Sequence, residues 1–227
     1  MDYTEYYEKY KKEVEQLSIA LYQANDNLLC CNQIIEVYGE FAEGFMITAF
    51  ESMEKILLLN LATILDSDSK TANLKRIIES FENNETLFNE KLQLQNINQY
   101  MSKYGISKTL FSGLNEALMH HNYIQGKNYE ALKLCINKAK NLFSETSTFF
   151  NTIKNIKVHR DKRIAHYDKS YIKDKEKIYE DFQLEVDNIK KLIHEIHDIL
   201  SNILILIGET PYSIKSLYTE NLKSLVK

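Results

Sequence analysis

The residue types best suited to chemistry fall in one short run, "HRDKRIAHYD", residues 159 to 168. It sets Arg160 and Arg163 between His159 and His166, in a chain whose only other arginine is Arg76 and whose remaining basic residues are lysines. An arginine in a lysine background points to use of the planar fork rather than of charge alone, because guanidinium matches carboxylate and phosphate oxygens two at a time. A histidine titrates near neutrality, as a group that moves a proton in a transition state must. Over 154–177, nine basic residues stand against four acidic ones, a local net of +5 in a chain of formal charge -4. Guanidinium and imidazole in a basic setting are the parts that phosphodiester cleavage without a metal requires: one group moves the proton, the other neutralises the phosphorane. The plainer alternative is structural, with the arginines ending a helix seam and pairing with a carboxylate or with the helix C-terminal dipole.

The elements that must position these residues read as helices. A single proline and six glycines leave too few turn signals for a sandwich or barrel. A first helix is predicted from about Thr4 into the twenties, with Val14, Leu17 and Leu21 at helical spacing, and a second from near Ile34 to Leu65, apolar on more than one side and therefore central. "DSDSKTAN" at 66–73 favours turns and N-caps, and "LKRIIESF" restarts a short helix. Residues 83–139 read as short helices with loops. From about Lys140, the series Leu142, Thr146, Phe149, Ile153, Ile156 steps onward to Arg160 and Arg163, so one packing seam ends in two guanidinium groups. A loop at 166–174 then leads to one very long helix reaching Ile207, with Phe182, Val186, Ile189, Ile193, Ile196, Leu200 and Ile203 on a stripe, on the order of 50 Å in all. Its last turns are apolar nearly all round and call for cover, either from a second subunit or from the segment after Pro211. The division expected is one helical domain over 1–227: an N-terminal helical part (1–139), the motif helix, loop and long following helix (140–208), and a C-terminal segment (209–227).

The acidic balance, with a pI near 5.9, argues against coating nucleic acid through a general basic surface and leaves room for a local basic patch. Cys30, Cys31 and Cys135, odd in number and without CxxC spacing, read as free thiols of a reducing compartment, so cytoplasmic is the expected location. The start "MDYTEYYEKYKKEVEQ" has no apolar core region of a secretory signal, and the most apolar runs are about half the ~20 residues that span a bilayer, so no membrane is expected. "HEIH" at 194–197 is not HExxH, and the pair His120 and His121 cannot share a helix face. Asp66 and Asp68 lack the glycine and late glutamate of a calcium loop and read as a helix-linking loop. No metal and no cofactor is expected, and no Walker loop, GxGxxG or GxSxG is present.

Arg160-Asp161, four further residues and then His166 resemble the R-x(4 to 6)-H signature of the HEPN superfamily, in which a polar residue commonly follows the arginine. "RDKRIAHYD" between two long helices, and more faintly "LATILDSDSKTANLKRII", resemble the abortive-infection subgroup of AbiU type. The resemblance implies an all-α, HEPN-like bundle of long antiparallel helices that dimerises and joins two motifs into one composite cleft with metal-independent endoribonuclease activity. It implies a bacterial toxin or antiphage effector acting on RNA, with Arg160 as the motif arginine, Asp161 as its polar neighbour and His166 as the motif histidine. Geometry leaves a choice open. On an unbroken helix, at 100° per residue, His166 lies about 60° from Arg163 but about 120° from Arg160, so either the helix ends before His166 or Arg163 shares the anion site. The alternative function is a non-catalytic helical dimer of the same fold that binds RNA or a partner protein. HEPN toxins also pair with antitoxins, some of them nucleotidyltransferases that modify a tyrosine two places after the histidine. That place is Asp168 here, with Tyr167 and Tyr171 nearby.

Overall fold

Apolar residues at alternating steps of three and four, Tyr7, Tyr10, Val14, Leu17, Leu21, Ala24, Leu28 and Cys31, give α1 (Tyr3–Tyr38) one continuous buried seam. The structure is a computed structural model that describes residues 3–38, 44–68, 71–93, 128–165, 177–209 and 211. Within them follow α2 (Phe45–Ile64), α3 (Leu74–Glu82), α4 (Glu85–Gln93), α5 (Asn128–Leu142) and α6 (Phe150–His159). A π-helical turn (Arg160–Ala165), α7 (Lys177–Asp181) and α8 (Val186–Leu206) complete the order. The described residues are all-α, as the composition predicts. Gly105, Gly113, Gly126, His120 and His121 lie outside them.

The core forms around α8. Ile189, Ile193, Ile196, Leu200 and Ile203 are buried as predicted, and from Ile199 to Leu206 every residue is buried. The helix lies against α1 and α5 of the same chain; the segment after Pro211, one of the two covers expected from the sequence, lies outside the described residues. Lys11 of α1 reaches Glu209 at 2.8 Å, just beyond the end of α8. Short α3 joins by burying Leu74, Ile77, Ile78 and Phe81, and its Arg76 pairs with Glu13 of α1 at 2.7 Å. Phe88 of α4 packs edge-on to Tyr10, closing an aromatic group with Phe81. The buried thiols of Cys31 and Cys135 are both pushed up to about 12, chiefly by desolvation.

Three predicted boundaries move, each for a local physical reason. The first helix continues to Tyr38 and the second starts at Phe45 rather than near Ile34. Gly44 precedes α2 at φ +54°, a conformation that side chains with a Cβ disfavour, so α2 starts directly after this glycine. Ile35 and Val37, which suggested a new apolar stripe, are exposed, and so is Phe45 (80 %); α2 enters the core only from Leu57 onward. The helix expected to run through from Lys140 stops at Leu142, and residues 143–149 form turns. There the Ser144 hydroxyl accepts from Thr146 N–H and the Ser147 hydroxyl from Phe149 N–H, so these side chains compete with helical backbone bonding.

The third correction concerns the helix expected to reach about 50 Å. It is divided between α7 and α8, and the 21 residues of α8 span about 32 Å. Two side chains one turn apart on α6 stabilise the break. His159 Nε2 lies 2.8 Å from the Phe182 carbonyl, which only accepts, so the ring donates from Nε2. Asn155 Nδ2 donates to the Gln183 carbonyl at 2.8 Å. The His159 ring, fully buried, also lies 5.0 Å from the Tyr179 ring, whose hydroxyl donates to Glu54 of α2 at 2.6 Å. His159→Ala removes this ring and strands a carbonyl; it is expected to cost about 2–4 kcal/mol. Asn155→Ala, acting on an exposed bond, is expected to cost less than about 1 kcal/mol. Urea unfolding followed by circular dichroism measures both.

Candidate functional site

Alpha-helical periodicity carries Thr152, Ile153 and Ile156 into the core, and the next buried position is His159 rather than Arg160. The backbone then leaves the α pattern. Residues Arg160–Ala165 form a π-helical turn, with bonding from i to i+5, a rare conformation that is often found at functional sites. Where the sequence extends the seam to the Arg160 guanidinium, the buried position is thus taken by the imidazole of His159. Arg160 is displaced to the flank, where α6 and the π turn meet α2.

On that flank its guanidinium is engaged twice. Arg160 Nε donates to Asp161 Oδ1 at 2.7 Å, and Nη1 donates to Asp66 Oδ2 at 2.7 Å. Neither carboxylate contact uses Nη2, which carries two N–H groups. The arginine side chain is 23 % exposed, intermediate between core and solvent, and this raises the strength of charge-assisted bonds above that of a surface pair. Hydrogen bonding to Asp161 first, and to Asp66 after it, outweighs desolvation and raises the guanidinium further above its already high range.

Asp66 is itself anchored. It follows the end of α2, and its second oxygen, Oδ1, accepts from Ser67 N–H at 2.7 Å. Further along, the buried Asn73 side chain caps α3 by accepting from Arg76 N–H at 2.8 Å, while its amide donates to the carbonyls of Asp68 and Thr71. This local bonding makes the loop a bracket rather than a tether. Desolvation alone would push the Asp66 carboxyl up; the Ser67 N–H, the Arg160 guanidinium and the charge of Lys157 outweigh it and hold the group below the ordinary carboxylate range.

Lys157, one turn before the π segment, is lowered too, which for an ammonium disfavours the charged form. Burial lowers it first, and the charges of Arg160 and of Lys75 on α3 lower it further against Asp66 and Asp161. The charge of Lys75, on a second element, is thus felt at Lys157. Lys157 lies 5.9 Å from the Phe143 ring centroid, and Lys162 5.2 Å from that of Phe182.

Of the residues that the sequence singles out, Arg160 and Asp161 are brought into direct contact. Arg163 lies within the π turn, and its side chain is outside the described set; His166, with Tyr167, Asp168 and Tyr171, lies outside the described residues altogether. Asp66, read from the sequence only as loop, is the member that sequence reasoning misses. Its signal was its place at the head of the capping run after an apolar helix, but a partner 94 positions away has no local signature. Elsewhere, His194 is exposed and His197 Nε2 lies 3.2 Å from the Ser201 hydroxyl. Among the described residues, no three His, Cys, Asp or Glu side chains group as a metal site, and no helix is long and apolar enough to cross a membrane.

The spacing from Arg160 to His166 on a chain whose described residues are all helical fits the R-x(4 to 6)-H pattern of the HEPN class, and comparison with family models agrees. The AbiU2 model of the HEPN group matches residues 7–225, and the chain belongs to this family. No curated protein and no solved structure gives a match.

The Asp66 shift fixes a pH dependence. Because the folded-state pKa is depressed, the carboxylate's contribution to stability is present above about pH 4 and is lost as pH falls through the lower folded value. Asp66→Asn is expected to cost about 1 kcal/mol near neutrality, after allowance for partial exposure. The gap to wild type should narrow as pH falls from about 5 to 2. Urea midpoints taken across that range provide the measurement.

Proposed function

We propose that the chain is a metal-independent endoribonuclease that serves as a bacterial toxin or abortive-infection effector. RNA is cut at a composite cleft made when two copies bring their motifs together. One observation carries the reading: an arginine held by Asp161 and Asp66 on a π-helical turn, with Nη2 outside both pairs, six residues before His166 in a chain of this family. The basic residues around the turn, Lys157 and Lys75 among them, support an anionic substrate, and membership of the family supports RNA cleavage in defence.

In the proposed reaction the ribose 2′-oxygen attacks phosphorus and the bond to the 5′-oxygen breaks. His166 takes the 2′-hydroxyl proton or supplies the proton that the leaving oxygen needs; a dimer provides two histidines, enough for both steps. Arg160, helped by Arg163, neutralises the pentacoordinate phosphorane, and Asp161 orients the guanidinium. The fragments end in a 2′,3′-cyclic phosphate and a 5′-hydroxyl.

A second reading keeps the fold and dimer but has the chain bind RNA or a partner protein without cutting. It is favoured by the two carboxylates that Arg160 already holds within its own chain, a pairing that could be wholly structural, as that of Arg76 with Glu13 is. Growth on expression separates the two: a ribonuclease slows it and His166→Ala relieves the effect, whereas a binding module is tolerated.

Purified protein is expected to cleave RNA equally with and without EDTA, leaving cyclic phosphate ends seen by mass spectrometry. His166→Ala and Arg160→Ala should each reduce the rate by at least about 100-fold. Cleavage lost in EDTA, or undiminished in these variants, overturns the mechanism.

A further inference from the structure

We infer that Asp66 is a positioning residue of the candidate site, acting through Arg160 to fix the plane of the guanidinium that faces the scissile phosphate. The inference rests on the ribonuclease reading and adds to it a residue from the other half of the chain.

The geometry distinguishes Asp66 from Asp161. Asp161 is adjacent in sequence, half exposed, and holds Nε close to where the side chain leaves its own backbone. Asp66 comes from a different element and holds Nη1, on the far side of the guanidinium carbon. Contacts on both Nε and Nη1 define the plane of a rigid group, whereas either alone leaves it free to swing. Each oxygen of Asp66 has its own donor, Ser67 N–H on Oδ1 and Arg160 on Oδ2, so the carboxylate is oriented before the arginine reaches it.

The place of Arg160 on the flank makes this second anchor useful. His159 takes the buried position and the Arg160 side chain is only partly buried, so core packing does not by itself set its direction. A long side chain on a flank samples many rotamers, and a carboxylate fixed on the loop after α2 selects one. Nη2 is then presented in a constant direction with both N–H groups outside the carboxylate contacts. A single phosphate oxygen can take a hydrogen bond there without displacing either carboxylate. Orientation set before binding acts on the rate more than on affinity, because the interaction is strongest with the charge of the transition state.

The test measures single-turnover cleavage of RNA by wild type, Asp66→Asn, Asp66→Glu, Arg160→Lys and the double variant Asp66→Asn with Arg160→Lys. Asp66→Asn is expected to lower the maximal rate about 10- to 100-fold, the scale of a roughly 1 Å misplacement, with the half-saturating RNA concentration changed less than about twofold. Asp66→Glu should recover part of the rate. With lysine at 160 there is no planar group to orient, so adding Asp66→Asn should have little further effect; a structural role predicts that the two losses multiply. Multiplied losses, an effect confined to the half-saturating RNA concentration, or an unchanged Asp66→Asn rate beside an inactive His166→Ala each overturn the inference and leave the ribonuclease reading intact. If wild type itself does not cleave, both fall together. Thermal unfolding of every variant shows which are folded at the assay temperature, and Asp66→Glu provides the comparison if Asp66→Asn is not.

Discussion

The last turns of α8 are apolar on every side, and hiding them from water is the constraint on which the remaining packing depends. Fully burying one Ile or Leu side chain is worth about 1.5–3 kcal/mol, and Ile199, Leu200, Ile203, Leu204, Ile205 and Leu206 are all buried within two turns. One neighbour cannot cover a helix that is apolar all round, so α1 and α5 both lie against it. The length of α1 follows from this role, because the same helix must also carry α2 and accept α3 through Glu13 and Arg76.

From that scaffold the route to the candidate site is short. α2 packs on α1 and ends just before Asp66, while α6 packs on α2 and ends just before Arg160. Two helix ends fixed by the same core therefore present a carboxylate and a guanidinium 2.7 Å apart. The loop at 66–68 is polar, while in the π turn Ile164 packs partly buried against the core. Hydrogen bonding adds to their placement: Ser67 and Asn73 brace the loop, and the two carboxylates hold the arginine of the turn. The two arginines whose side chains are described, Arg76 and Arg160, both take carboxylate partners across elements. This use of the fork fits the replacement of most other basic residues by lysine.

His159 is wholly inside, locked by the Phe182 carbonyl and the Tyr179 ring, and serves the fold. Its hydrogen bond also explains why the apolar stripe from Phe182 to Ile207 is not one helix: periodicity records which positions are apolar, but it carries no information about a carbonyl taken by a distant side chain. The same limit explains the helix that ends at Leu142, since Thr146 fits the seam by spacing while the serines around it bind backbone groups and turn the chain.

What the sequence determined by itself is the class of fold, the buried faces of α1 and α8, the capped restart at Asn73, and the family, since the spacing from Arg160 to His166 is written in adjacent residues. Each rests on local chemistry: side-chain periodicity, capping and the scarcity of turn residues. Tertiary structure alone decided that Asp66 and Asp161 share Arg160, that His159 belongs to the core, and that the motif helix changes pitch where its arginine begins. These depend on contacts between segments 23 and 94 residues apart, whose strength comes from removing charge and hydrogen-bonding groups from water together. A linear pattern cannot record which partner such a group will meet.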